Sequence, residues 1–243
     1  MSYFLFNGVS SRELDMIVTS PIIRPSWTLE ENEYTLAGRT TKYSQKSKTY
    51  DNASMTIETF VSDTGTKNLQ KIYNILQGDG TLWLSTAPEE YLNVTITAPE
   101  PQAVALMAGV FPLKLNVKPF AYAVNPTIED ITVSGVSDYV RIANNGTIFS
   151  EPEISFRPQT QKTVITVNGA DFIVNTPDGC SYESIVTINC EEEVVYFTRP
   201  EGTRYMCLQY TENDFPLLHT GDNYIRYTGA VKDMTINVKE RFL

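Results

Sequence analysis

The sequence predicts a mainly β protein with one helix, on three observations: strand-like alternation of polar and apolar residues, recurrent turn signals and a single segment of helical periodicity. Alternation with a period of two places one face of a strand on a core and the other toward solvent or a neighbour. Glycine- and asparagine-containing turns separate the alternating segments, and β-branched and aromatic residues, which strands favour, are frequent in them. The segments are 54–61, 92–97, 163–168 and 234–238.

A β-hairpin is predicted around Asn168-Gly169. This dipeptide lies between two apolar segments, 164–167 and 172–174. Asn-Gly favours the tight two-residue turn whose twist matches that of paired strands.

One helix is predicted over 66–77. Its apolar residues Leu69, Ile72, Tyr73 and Leu76 recur at helical spacing and share one face. Gly78 follows and is predicted to end the helix at the C′ position, because glycine adopts the left-handed conformation at little cost. A short strand is predicted at 82–84.

The chain is long enough for two domains, and we predict a first domain at 1–125 and a second domain at 126–243. Pro126 cannot donate a backbone hydrogen bond and biases Asn125 away from helix, so a continuous strand ladder is unfavourable there. The helix and both tryptophans precede this point. The final segment, 231–243, either completes the second domain or returns to the first.

Composition excludes several classes of protein. A net charge of −10 argues against a nucleic-acid binder held by phosphate contacts. No segment approaches the ~18 apolar residues that a membrane helix needs, and no signal peptide is indicated. Cys180, Cys190 and Cys207 are odd in number, and their spacing matches neither a zinc site nor a disulfide scaffold. We therefore expect cytosolic synthesis, free thiols and no membrane insertion.

No catalytic, metal-binding or cofactor-binding constellation is predicted. His219 is the one histidine, and it lies in a proline- and glycine-flanked turn with no acidic residue at a motif spacing. A single histidine also argues against most histidine-based metal sites. The acidic run Glu191-Glu192-Glu193 is interpreted as a solvated charge run.

One segment departs from the even distribution of charge. Residues 38–50 contain Arg39, Lys42, Lys46 and Lys48 and no acid. Two interpretations stay open. The segment is a solvated hairpin arm whose lysines protect a sheet edge, or it is an arm that contacts an acidic neighbouring subunit. These four residues are the predicted inter-subunit contact.

The order of short motifs along the chain resembles that of phage distal tail proteins, which cap long, non-contractile tails, typically in phages of Gram-positive hosts. Each motif alone is weak, but the series runs nearly from end to end. The motifs are FLFNGVSS (4–11), YTLAGR (34–39), ILQGDGTLWL (75–84), VKPFAY (117–122), NNGT (144–147), EPEI (151–154), DFPLL (214–218), GDN (221–223) and YTG (227–229).

The resemblance implies a fold and a role. The fold is an N-terminal β-sandwich-like domain with one helix and a long hairpin arm, followed by a C-terminal galectin-like β-sandwich. Six copies would form a homohexameric ring at the tail tip of the virion, assembled in the host cytoplasm. The ring would join the major tail (tube) protein to the tail-associated tip protein and to receptor-binding or baseplate proteins. Its channel would pass the tape measure and DNA, and the protein would not be an enzyme.

Two other functions are weighed against the ring. The first is a carbohydrate-binding module that contacts the host cell wall. The C-terminal half has no tryptophan to stack on a sugar, so Tyr182, Tyr196, Tyr205 or Tyr224 would have to substitute. The second is a peptidoglycan hydrolase, which the single histidine and the lack of a nucleophile or metal motif disfavour.

Overall fold

The computed structural model describes residues 2–34, 43–63, 65–97, 102–105, 108–131, 139–177 and 179–243, without the side chains of 30–34, 43–48, 102–105 and 108. The chain divides into two units, Met1–Val124 together with Leu243, and Asn125–Phe242. Strands dominate both units, and the described residues contain one α-helix and two short 3-10 helices. The predicted mainly β class with one helix is confirmed.

The first unit has ten strands in its described residues. Its main sheet has the order β2-β1-β7-β8-β10-β6-β3, and β9 adds to β10. Neighbouring strands are antiparallel throughout this sheet. The elements are β1 (Phe4–Phe6), β2 (Val9–Ser10), a 3-10 helix (Ser11–Leu14), β3 (Met16–Val18), β4 (Leu29–Tyr34), β5 (Tyr43–Tyr50), β6 (Ala53–Val61), α1 (Thr66–Ile75), β7 (Gly78–Leu84), β8 (Ala87–Ile96), β9 (Gln102–Ala105) and β10 (Ala108–Ala123).

Alternation builds the core of this sheet. In β6, Met55, Ile57, Thr59 and Val61 are buried, and the residues between them are more exposed. The hydroxyl of Thr59 donates a hydrogen bond to the carbonyl oxygen of Phe111 on β10 at 2.6 Å. This bond satisfies the hydroxyl of Thr59, the one polar side chain of β6 that the alternation places in the core. The predicted strand at 54–61 is confirmed.

The helix packs through the predicted apolar face. Ile72 and Leu76 are fully buried, and Leu69 and Tyr73 are half-buried. The helix ends at Ile75, two residues earlier than predicted, and Leu76 is its C-cap. Gly78 therefore does not occupy the C′ position. With a φ of 79°, it begins β7 in a conformation that glycine adopts without steric cost.

Strands β4 and β5 form a two-stranded arm. In the described part of the chain they pair with each other and with no other strand. The register aligns Glu31 with Lys46 and Tyr34 with Tyr43, and it shifts between Leu29 and Glu31. The predicted hairpin arm is confirmed. An isolated two-stranded ribbon is at best marginally stable in water, so this arm needs further contacts.

The second unit has twelve strands in its described residues and is a sandwich of two antiparallel sheets. The orders are β11-β21-β13-β16-β17-β18 and β12-β20-β14-β15-β19. The elements are β11 (Ile128–Ile131), β12 (Val140–Asn144), β13 (Glu153–Pro158), β14 (Lys162–Val167), β15 (Ala170–Asn175), β16 (Ile185–Asn189), β17 (Val194–Thr198), β18 (Arg204–Met206), a 3-10 helix (Leu208–Tyr210), β19 (Thr211–Glu212), β20 (Gly221–Thr228), β21 (Val231–Asn237) and β22 (Arg241–Phe242).

The two sheets share one apolar core. Each sheet turns alternate side chains inward, as the period-two pattern predicts. The six-stranded sheet supplies Ile154, Phe156, Val186, Ile188, Val195 and Ile236, and the five-stranded sheet supplies Ile142, Ile165, Val167, Phe172, Ile225 and Tyr227. The predicted β-sandwich is confirmed.

The predicted hairpin at Asn168-Gly169 is confirmed. It joins β14 to β15, with Val167 opposite Ala170. Asn168 and Gly169 have φ values of 52° and 90°, as a type I′ turn requires. Asn168 also bonds outside the turn, because its side-chain oxygen accepts from the backbone N–H of Tyr224 at 2.9 Å.

The segments that enter and leave the second unit are hydrogen-bonded to each other. The N–H of Val238 donates to the carbonyl oxygen of Thr127 at 2.9 Å. The N–H of Thr127 donates to the buried carboxylate of Glu240, at 3.0 and 3.1 Å from its two oxygens. In the same stretch β21 pairs with β11 and β13 of the six-stranded sheet, whereas Leu243 groups with the first unit.

Candidate functional site

The predicted contact residues lie on the arm. Lys46 and Lys48 are in β5, and Arg39 and Lys42 lie outside the described residues. The backbone register sets Lys46 opposite Glu31. The arm therefore aligns an acidic residue of its own with one of the predicted basic residues.

The acidic strand of the arm was missed by the sequence reasoning. Strand β4 contains Glu30, Glu31 and Glu33, so residues 29–50 contain four basic and three acidic residues. The signal is present in the sequence, because the acidic run precedes the basic one at the spacing of a hairpin. The arm therefore carries charges of both signs.

His219 is exposed, as predicted. Its N–H donates to the side-chain oxygen of Asn223 at 2.8 Å, and its carbonyl oxygen accepts from the side-chain amide of the same residue at 2.8 Å. Among the described residues, no cluster of three or more His, Cys, Asp or Glu side chains has a metal-binding arrangement. None of the described helices has the length and apolarity to cross a membrane.

Replacing His219 with alanine is expected to leave the thermal unfolding midpoint and the assembly state unchanged. Both bonds to Asn223 use backbone atoms of His219, so the substitution preserves them. Exposed substitutions of this kind change stability by about 0.5 kcal/mol or less. Calorimetry and light scattering check this, and loss of a cell-wall lytic activity in the variant would overturn it.

The three cysteines are free thiols, and Cys190 and Cys207 are buried. Burial raises the pKa of Cys190 to about 12, with a further contribution from the carboxylate of Glu151. Burial likewise raises the pKa of Cys207 to about 11. The thiolate is the nucleophile, so these two thiols are poor nucleophiles at neutral pH.

A thiol reagent at pH 8 is therefore expected to modify Cys180, which is partly exposed, and to spare Cys190 and Cys207. In denaturant all three should react. Mass spectrometry of the labelled chain checks this. Rapid labelling of Cys190 in the folded chain would show that its surroundings open readily.

A cluster of charged side chains lies at the end of the second unit. Arg241, whose side chain is 5% exposed, pairs with Glu151 and, at 3.3 Å, with Glu191. The ammonium group of Lys239 lies 3.5 Å from Glu191 and 3.9 Å from Glu153. The cluster links the last residues of the unit to the start of β13 and to the turn after β16.

The interpretation of the acidic run as solvated is wrong for its first residue. Glu191 is partly buried because it faces Arg241 and Lys239. Glu192 and Glu193 lie in the turn between β16 and β17 and are exposed, as predicted.

The four tyrosines weighed for sugar stacking have different surroundings. Tyr182 and Tyr224 are 55% and 50% exposed. Tyr196 and Tyr205 lie under arginine guanidinium groups, with 4.8 and 4.6 Å between guanidinium carbon and ring centroid. Only Tyr182 and Tyr224 therefore offer an open ring to a ligand among these four.

Comparison with known proteins gives matches of structure but not of sequence. No family model and no curated protein matches the chain. Among solved structures, the Dit protein (gp 19.1) of phage SPP1, described as a paradigm of the hub adsorption apparatus in phages infecting Gram-positive hosts, matches with a TM-score of 0.71 and 16% identity over 100% of both chains. A chain of the phage p2 baseplate in its activated conformation with Sr matches with a TM-score of 0.53 and 10% identity, again over 100% of both chains.

These matches show that the chain shares the fold of phage hub and baseplate proteins along its whole length. The predicted resemblance to phage distal tail proteins is confirmed at the level of the fold.

Proposed function

We propose that the chain is a structural component of a phage tail tip. It forms a hexameric ring that joins the tail tube to the tail-associated and baseplate proteins, and the ring leaves a channel for the tape measure and DNA. The observation that carries the proposal is the full-length likeness of fold to the hub protein of phage SPP1. The order of motifs in the sequence supports it independently.

The two halves of the chain have separate roles in this proposal. Residues 1–125 form the ring through the β4–β5 arm, with Arg39, Lys42, Lys46 and Lys48 at the contact between copies. Residues 126–243 form a galectin-like domain that is accessory to the ring. The partners are further copies of the chain, the major tail protein, the tail-associated tip protein and receptor-binding or baseplate proteins. The site of action is the tail tip of the virion, after assembly in the host cytoplasm.

The charge of the chain supports a channel role. The sequence has 29 acidic and 19 basic residues. A surface with an excess of carboxylates repels the phosphate backbone, so DNA crosses such a channel without being retained.

The full-length chain is expected to form a species of several copies at micromolar concentration. Light scattering coupled to size exclusion measures its mass, and electron microscopy shows whether the particles are closed rings. A chain that stays monomeric at every concentration, with and without the tail-tube protein, would contradict the proposal.

Reversing Lys42, Lys46 and Lys48 to glutamate is expected to weaken assembly by about tenfold or more in midpoint concentration. The reversal leaves Arg39 as the one basic residue between positions 29 and 50. The partner surface matched charges of both signs, and like charges that meet at an interface are costly. The matched control reverses the exposed residues Lys67, Lys114 and Lys118 of the same unit. Both variants should be compared at low salt, where screening is least. Equal assembly of the two would remove the arm lysines from the contact.

A carbohydrate-binding module that contacts the host cell wall is the alternative function. The observation in its favour is a surface cleft where the open ring of Tyr182 lies beside the polar residues Thr160, Thr176 and Ser181. Binding of purified cell-wall polysaccharide that Tyr182→Ala abolishes would support this function. Absence of binding by the full-length chain would exclude it.

A further inference from the structure

The six-stranded sheet of the second unit ends on two strands that are each paired on one side. Among the described residues, β11 pairs with β21 alone and β18 pairs with β17 alone. An edge strand presents unpaired N–H and C=O groups that another strand can use. The backbone groups that face outward on each edge therefore determine which strand it can pair with.

Hydrogen bonds to the neighbouring strand identify the outward groups, because successive residues of a strand direct their N–H and C=O to opposite sides. On β11, the carbonyl of Thr127 faces β21, so Ile128 and Asp130 direct their backbone groups outward. On β18, the N–H of Cys207 faces β17, so Arg204 and Met206 direct theirs outward. Each edge thus offers two donors and two acceptors.

The apolar side chains at these outward positions are unusually exposed for the second unit. Met206 and Ile128 are 59% and 58% exposed, the highest values among the large apolar side chains described in the second unit. Tyr205, between the two outward residues of β18, stacks on the core residue Phe197. Met206 and Arg204 therefore lie on the outer face of the sheet. Ile128 also lies on that face, because Ile131 of the same strand is buried.

The charged residues beside them are complementary. Arg204 lies over a tyrosine ring and has no carboxylate within ion-pair distance in the described part of the chain. Asp130 accepts a hydrogen bond from the hydroxyl of Thr235 at 2.7 Å, and no cation of the described residues lies within ion-pair distance of it. Within the described ranges, one edge therefore has a cation without an ion-pair partner and the other an anion without one.

We propose that β18 of one copy pairs with β11 of the next copy, antiparallel, with Arg204 opposite Asp130 and Met206 opposite Ile128. This single register aligns both outward residues of each edge. It also joins the two charges and covers the two most exposed large apolar side chains described in the second unit. The proposal rests on the proposed ring, to which it adds a second contact between neighbouring copies.

The topology of the sheet fits repetition of this contact. All neighbouring strands of the six-stranded sheet are antiparallel, and six is even, so β11 and β18 run in opposite directions. A second copy in the same orientation therefore meets β18 with an antiparallel β11. Such a head-to-tail contact is the kind from which rings are built. Pairing β18 with β18 of a twofold-related copy would place Arg204 opposite Met206 and leave the charge unpaired.

The contact is small. Two outward residues on each side make four backbone hydrogen bonds. The surface area that such a contact buries is far smaller than the ~1,200–2,000 Å² buried by stable interfaces. It therefore acts between copies that another contact already holds close, where the effective concentration is high.

Cysteine cross-linking of the full-length chain tests the register. Hydrogen-bonded antiparallel neighbours have Cα atoms about 5.5 Å apart, which suits a disulfide. The double variant Ile128→Cys and Met206→Cys should give, under mild oxidation, a ladder of covalent oligomers on a denaturing gel. All variants also carry Cys180→Ser, because Cys180 is a partly exposed free thiol. Each single variant should then stay monomeric on the gel. A dimer from Tyr205→Cys alone would indicate the twofold arrangement and overturn the proposal.

Charge reversal provides the second test. Arg204→Asp and Asp130→Arg should each raise the midpoint concentration of assembly, by about fivefold, and the double reversal should restore it. If wild-type chains form rings and neither the ladder nor the restoration occurs, the edge contact is wrong and the ring stands. If wild-type chains are monomeric, the proposed ring fails. A ladder at roughly millimolar concentration, as expected for a weak contact, would then still support the edge pairing, and its absence would overturn that as well.

Discussion

Replacing Arg241 with methionine is expected to lower the free energy of unfolding of the second unit by about 3 kcal/mol. Methionine preserves much of the packing volume but leaves the carboxylates of Glu151 and Glu191, which both face this guanidinium, without their main partner. Uncompensated charge in a partly buried site is costly because the protein solvates it less well than water does. Urea unfolding followed by circular dichroism measures the loss.

Two controls separate this effect from loss of a surface charge. Arg141→Met removes an arginine whose pair with Asp222 is exposed, so it should change stability much less. Combining Arg241→Met with Glu151→Gln and Glu191→Gln should recover most of the loss, because no unpaired carboxylate remains. Trp27 and Trp83 both lie in the first unit, so tryptophan fluorescence reports that unit separately. An unchanged circular dichroism transition in Arg241→Met would show that the cluster does not hold the fold.

Residues 1–124 alone are expected to assemble, and residues 125–242 alone are expected to stay monomeric. The difference between the two fragments in the mass of the assembled species is the largest effect that the proposed division of roles predicts. Each fragment retains nearly all pairings of its own sheets, since β21 pairs within the second unit. Light scattering of the two fragments measures the outcome.

The edge contact proposed for the second unit refines this expectation. Without β11 and β18, the first fragment should assemble at a higher concentration than the full-length chain. If both fragments fold but neither assembles, while the full-length chain forms rings, the second unit makes the principal contact. The proposed division would then be wrong.

The parts of the fold that sequence could predict are those encoded by local periodicity. The hairpin at Asn168-Gly169 needs only two residues with positive φ between two apolar runs. The buried face of α1 follows from apolar residues at helical spacing. In each case the residues that determine the structure are near one another in the chain.

The charged cluster and the edge pairing could not be predicted, because they depend on partners distant in sequence. Arg241 and Glu151 are separated by 90 positions, and no local pattern links them. The acidic residues of β4 were missed for a related reason: Glu31 acquires a relation to Lys46 only through the register of the arm. Charge counted along a segment does not show which charges meet across strands.

The hydrogen bonds of Thr127 to Val238 and Glu240 have a mechanical consequence for the second unit. They hold the first and last segments of the unit side by side. A pull transmitted along the chain from the first unit therefore acts at one place on the second, and does not stretch the polypeptide between distant ends. We expect the sandwich to move under such a load as a body, without its strands being peeled apart one after another.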